Sequence, residues 1–224
     1  MPLEPQTKLR GPRGPYAKSL ITRGAILEAA LEVFGQLGFR SGSLKNVADR
    51  VGISEAGLLH HFRNKTALLQ AVLELRDDEA RRLYEFPPDD GRGTVRGLLQ
   101  LAAYNETTPG AMELYCVVSA EATDPSHPAY QFFQNRYEFL RTLIGDALTQ
   151  IGEKGELRPG IDAASAARGL IALWDGLQVQ WLYERGSFSM ERALRAYVDA
   201  ILVAPLDEDD VDPRAVEAQA SEPA

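Results

Sequence analysis

The chain has 224 residues, 45% hydrophobic and 25% charged, an ordinary globular composition long enough for one large domain or two smaller ones. Its one cysteine, Cys116, excludes an internal disulfide framework and a cysteine-based zinc site, and fits a reducing compartment with the cytoplasm as the expected location. The N-terminal MPLEPQTKLRGPRGPYAK has no apolar stretch of signal-peptide kind, and no window approaches the roughly eighteen continuous apolar residues of a membrane span.

The formal charge of −8 is unevenly distributed. Up to Lys65 the chain carries ten Lys and Arg against five acids, a balance of +5, which leaves −13 for the remainder. Such asymmetry suggests a head that faces nucleic acid on a body that avoids it.

In chain order, residues 1–20 hold Pro2, Pro5, Pro12, Pro15, Gly11 and Gly14 with few apolar residues, and read as a flexible basic arm. The RGPRGPYAK stretch suits an extended segment in a minor groove, or equally a solubilising tail. Beyond it, apolar residues recur at three- and four-residue steps, as in Ile26, Ala30, Val33, Phe34 and Leu37, or Leu68, Leu69, Val72 and Leu75. No strand alternation stands out, so the fold class is all-α. Breakers at Gly38, Gly52, Pro87-Pro88, Pro109, Pro125, Pro128, Pro159-Gly160 and Gly186 predict about nine helices, near 22–37, 43–51, 54–61, 65–84, 94–107, 110–123, 128–153, 162–185 and 189–203. The tail from residue 205, rich in Asp and Glu, reads as disordered.

The sharpest motif is SLKNVADRVGISEAGLLHHF. A helix-turn-helix needs a small residue where its helices approach, a residue tolerant of left-handed geometry in the turn, and apolar residues bracketing both. Ala48, Gly52, and then Val47, Val51, Ile53 and Leu58 meet these needs. Ser43 and Ser54 stand where each short helix would begin, with side-chain oxygens suited to capping. The same pattern would also serve as a plain structural corner.

The stretches ILEAALEVFGQLGF, SLKNVADRVGISEAGLLHHF and RNKTALLQAVL, spanning residues 20–75, closely resemble the DNA-binding domain of the TetR family of bacterial transcriptional regulators. The resemblance implies a three-helix DNA-binding head over 21–65, and a larger ligand-binding and dimerisation body over 66–204. In the docking it implies, the helix from Ser54 lies in the major groove, with Ser54, Glu55, Ala56, Gly57 and His60 toward the bases. Glu55 would accept from a cytosine amino group or discourage wrong sequences. Lys65 matches the family's phosphate-binding lysine, just after Asn64 as a cap. Ser43 and Lys45 are candidate phosphate contacts, although an exposed lysine is often merely solvated. His61 is either a DNA contact or a partly buried head residue. Leu59 departs from the family, which commonly has a phosphate-contacting tyrosine there.

In the body, Tyr104, Met112, Tyr115, Cys116, Phe132, Phe133, Tyr137, Trp174, Gln178 and Trp181 cluster on predicted helices. Singly, each suits a helical core. The resemblance implies a cavity for a small, mostly apolar or aromatic effector, with Tyr104, Met112, Tyr115, Cys116, Phe133, Tyr137, Trp174 and Gln178 as candidate lining. The helix from residue 162 carries more apolar surface than one inner stripe requires, and the family implies a homodimer through 162–203 that reads two half-sites of a near-palindromic operator. A repressor released by its effector is the implied role, with the helix from Lys65 to Tyr84 as lever. An activator, or a regulator answering a protein partner, fits the same fold.

An enzyme is the rival class. Of the three histidines, adjacent His60 and His61 point in different directions around a helix, which is poor metal-ligand geometry. No glycine-rich phosphate loop, nucleophile elbow or HExxH occurs, and DPSHP around Asp124 and His127 reads as a turn. No catalytic residue, cofactor or metal is expected.

Overall fold

The computed structural model describes residues 15–84 and 86–206, and among them are nine α-helices: α1 (Pro15–Ser41), α2 (Leu44–Val51), α3 (Glu55–His61), α4 (Lys65–Leu83), α5 (Gly91–Thr107), α6 (Pro109–Glu121), α7 (Tyr130–Glu153), α8 (Ala163–Tyr183) and α9 (Met190–Ile201). The all-α expectation holds. The basic arm lies outside the described residues as far as residue 14, and so does the acidic tail from 207. Two expected boundaries shift. Helix α1 begins at Pro15 and not near 22, so residues 15–20 of the expected arm are helical. Pro15 counts toward a flexible arm by composition, but in the first helical turn its missing N–H has no partner to lose. At the other end the packed chain continues to Leu206, which is buried beside α9 and donates its N–H to Asp199.

Two apolar cores organise the helices. In the first, Ile26, Ala30, Val33 and Phe34 of α1 meet Val47 and Ala48 of α2, Leu58 of α3, and Leu68, Leu69, Val72 and Leu73 of α4. That core continues into Leu114 and Val118 of α6 and Phe133 of α7, so apolar packing does not stop at residue 65. Residues such as Phe34, Leu58 and Leu69 are fully buried, each contributing about 1.5–3 kcal/mol by leaving water. The second core gathers Val95, Leu98 and Leu99 of α5, Ile144, Leu148 and Ile151 of α7, Leu170 of α8, and Leu194 and Val198 of α9.

The chain after α9 is pinned to the α7–α8 loop and to the start of α5. Leu157 and Leu202 form an isolated antiparallel bridge, and Arg92 donates to the Pro205 carbonyl at 2.7 Å. Among the described residues no helix is long and apolar enough to cross a membrane.

Candidate functional site

The two short helices of the head are set by local chemistry. Ser43 caps α2: its hydroxyl accepts the Asn46 N–H at 3.1 Å while the Asn46 side chain accepts the Ser43 N–H at 3.0 Å, a reciprocal capping box. Gly52 ends α2 at φ 77° and ψ 32°, and its N–H reaches the Ala48 carbonyl. That left-handed turn favours glycine because a Cβ would crowd the following carbonyl. Ser54 then caps α3 by accepting the Gly57 N–H at 3.0 Å, and Asn64 caps α4 through the Ala67 N–H at 2.8 Å.

With Leu58 wholly buried, the opposite side of α3 is left to solvent. Ser54, Glu55, Ala56, Leu59 and His60 are exposed, and Gly57 and His61 half-buried. Ser43 uses its hydroxyl in the cap. Lys45 pairs with Asp49 one turn along α2 at 2.7 Å, a contact that raises its pKa, and both groups are exposed. Lys65 does not extend outward. Its ammonium lies 4.4 Å from the centre of the Phe39 ring and 3.4 Å from the Arg40 carbonyl, and desolvation holds its pKa below the usual lysine range.

That folded-back lysine sits in a junction between head and body. Gly38 breaks α1 at φ 73° and ψ 170°, a region open essentially to glycine alone. The next two backbone N–H groups, of Phe39 and Arg40, point at the Glu121 carboxylate at the end of α6, at 2.7 and 3.5 Å. Arg40 also bridges to Asp124 at 3.0 Å. Behind them His127 is buried edge-on to Phe39, accepting the Ala129 N–H at Nδ1 and turning Nε2 toward Glu121 at 3.8 Å. Burial holds the His127 imidazole below its usual pKa, Glu121 and Asp124 pull it up, and Arg40 and Lys65 push it down.

Within the body, α4 to α8 enclose a cavity of about 300 Å³, at the lower end of the range for small-molecule sites. All eight residues read from the sequence as its candidate lining stand in its wall: Tyr104, Met112, Tyr115, Cys116, Phe133, Tyr137, Trp174 and Gln178. Phe132 packs edge-on against Phe133, and Trp181 belongs to the second core. The Cys116 thiol is pushed up to about 11 by burial and by Asp175, so at neutral pH it stays protonated and unreactive.

Sequence reasoning missed the polar side of this wall: Arg76, Asp77, Arg136 and Asp175. The Arg136 guanidinium pairs with Asp77 and lies 4.5 Å over the Tyr115 ring, whose hydroxyl donates to the same Asp77 at 2.8 Å. Arg76 is bound to Glu79 at 2.6 Å and to Thr108. Asp175 accepts from the Tyr137 hydroxyl at 2.8 Å. A signal was present. Arg76 and Asp77 continue the inward stripe of Leu69 and Leu73, and Arg136 and Asp175 each stand between cavity-facing neighbours. Charged residues at inward positions of an amphipathic helix are not merely solvated.

The comparisons with known proteins agree with this architecture. The profile described as bacterial regulatory proteins, tetR family, matches residues 26–72, and the profile of the C-terminal domain of BetI-type transcriptional repressors matches 92–203. The chain belongs to the TetR family of transcriptional regulators. It is therefore a helix-turn-helix regulator, not an enzyme. The HTH-type transcriptional regulator UidR of Escherichia coli K12 is 31% identical over 189 residues, covering 82% of this chain and 94% of the relative. The regulator TtgR of Pseudomonas putida is 30% identical over 80% of this chain and 88% of its own length. Among solved structures, a protein from Saccharomonospora viridis in complex with choline has the same fold, with a TM-score of 0.66 at 22% identity over 82% of this chain and 98% of that one.

Proposed function

We propose that this chain is a homodimeric repressor, acting in the cytoplasm, that grips a near-palindromic operator and lets go when a small, mostly apolar or aromatic effector fills the body cavity. The observation that carries the reading is on α6. Ala120 lines the cavity, and the very next residue, Glu121, holds the backbone of Phe39 and Arg40 at the end of α1. An effector that shifts α6 therefore pulls directly on the head, so α6 shares the lever role expected of α4. The effector can weaken operator binding only by its differential affinity for the two arrangements.

In the DNA-bound state, α3 enters the major groove with Ser54, Glu55, Ala56, Gly57 and His60 toward the base edges, and His61 at the side of the groove. Ser43, Lys45 and Lys65 serve the phosphates, Lys65 by leaving its resting place over Phe39. Dimerisation is supported by the outer face of the last two helices. Ala172, Gly176, Val179 and Tyr183 of α8 and Ala196 and Ala200 of α9 are exposed together, Tyr183 at 87%, although the inner faces of both helices are already filled. A surface that joins small residues to exposed Val179 and Tyr183 suits burial against a second copy, with helices shared across a two-fold axis.

The test is a genomic DNA pull-down with sequencing, run with the native chain and with Lys65→Ala across salt concentrations. Enrichment of one near-palindromic site, weakened by the substitution and by salt, is expected. No enrichment at any salt would discard the operator-reading role.

A further inference from the structure

We infer that the effector is a protonated amine on an apolar body, held with its ammonium at Asp175. The inference rests on the effector-released reading above and narrows it to one chemical class.

The charges in and behind the cavity wall do not cancel. Arg76 is matched by Glu79, and Arg136 by Asp77, each in a direct ion pair. Asp175 is left over. Among the described residues it has no ion pair, and its one hydrogen-bond partner is the neutral hydroxyl of Tyr137, which approaches Oδ2. Among the described residues no hydrogen bond is seen at Oδ1, and it is not among the polar atoms sealed away without a partner, so this lining residue keeps an oxygen open to a donor. A desolvated carboxylate without a cation is costly, and a ligand that supplies one recovers that cost on binding.

The rest of the wall fits the rest of such a molecule. Leu98, Met112, Ile144, Leu170 and Ile171 provide apolar surface. Phe133, Tyr137 and Trp174 add rings whose faces attract a cation. An anionic ligand fits less well. It would meet Asp175 unpaired, and Arg136 is already bound to Asp77 and stacked on Tyr115. Burial raises the Asp175 pKa, against the pull of Tyr137 and Arg136. An arriving ammonium would favour the ionised form.

Three probes of matched shape separate the possibilities: 4-phenylbutylamine, 4-phenylbutanol and 4-phenylbutyrate. Each is titrated calorimetrically into the full chain and into Asp175→Asn. The amine is expected to bind at least about tenfold more tightly than the alcohol or the acid, and neutralising the carboxylate by Asp175→Asn should bring it to within about threefold of the alcohol. Unchanged binding of the alcohol to the variant would report an intact cavity. Equal binding of all three, tightest binding of the carboxylate, or an amine preference that survives Asp175→Asn would each overturn the inference. Binding of none of them would overturn it too. The regulator reading fails separately, by absence of an operator in the pull-down.

Discussion

The Glu121 carboxylate at the C-terminus of α6 accepts the backbone N–H of Phe39 at 2.7 Å, across 82 residues of sequence. This bond is stronger than a neutral pair because the acceptor is charged, and it ties the cavity-lining helix to the head just past the Gly38 break. Glu121→Ala is expected to cost about 1–3 kcal/mol by leaving the Phe39 N–H unmatched. Urea melts of the variant beside Glu121→Gln, which keeps an acceptor, check the value. Full retention of stability by the alanine variant would remove the tie.

Gly38 gives a second handle on the same junction. Its backbone sits at φ 73° and ψ 170°, and a Cβ there would come within 2.5 Å of a Glu121 oxygen. Gly38→Ala should therefore cost about 1–3 kcal/mol from the backbone alone. The double variant with Glu121→Ala removes the collision and should lose less than the sum of the single effects, which a double-mutant cycle measures.

Adjacent Leu58 and Leu59 should respond oppositely. Leu58 is fully buried, and Leu59 is 42% exposed on the outer side of α3. Leu58→Ala is expected to destabilise by about 2–5 kcal/mol. Leu59→Ala should stay within about 0.5 kcal/mol of the native chain in a thermal melt.

On the proposed reading that Lys65 serves a phosphate, Lys65→Ala should weaken operator binding at every sequence alike and reduce the slope of log affinity against log salt by about 0.9. Fluorescence anisotropy over a salt series reads both quantities. A change of base preference without a change of slope would mean that Lys65 touches a base edge.

The pH dependence follows from His127. Its folded pKa is depressed, chiefly by burial, so the unfolded chain binds the proton more readily. Stability contributed at this site is whole above the unfolded imidazole value, near 6.5, and falls as pH drops from there toward the lower folded value. Protonation would also put a hydrogen on Nδ1, which now accepts the Ala129 N–H. His127→Gln should flatten the fall of stability below about pH 6.5 in denaturant melts. An unchanged pH profile would assign the acid sensitivity elsewhere.

The caps and turn of the head were legible in the sequence because what shapes them is local. Ser43 and Asn46, Ala48 and Gly52, and Ser54 and Gly57 lie three or four residues apart, within reach of one helical turn, so caps and turn are written in adjacent letters. The aromatic and sulfur-bearing residues of the body were legible as inward-facing because such side chains have few other places to go, but only the family resemblance implied that they line a cavity rather than fill a core. Pro15 misled because one residue type both breaks a helix interior and starts a helix.

What the sequence by itself determined was the helix-turn-helix, the all-helical body and the cluster of aromatic residues on its helices, while their place around a cavity was implied by the family resemblance alone. Only the tertiary structure decided that Lys65 folds over Phe39, that Glu121 holds the end of α1, and that Asp175 stands in the cavity wall without a direct ion pair among the described residues. Each depends on which distant charge arrives beside it. Spacing along one helix cannot fix that, because such partners are chosen when α4, α6, α7 and α8 close around the same space.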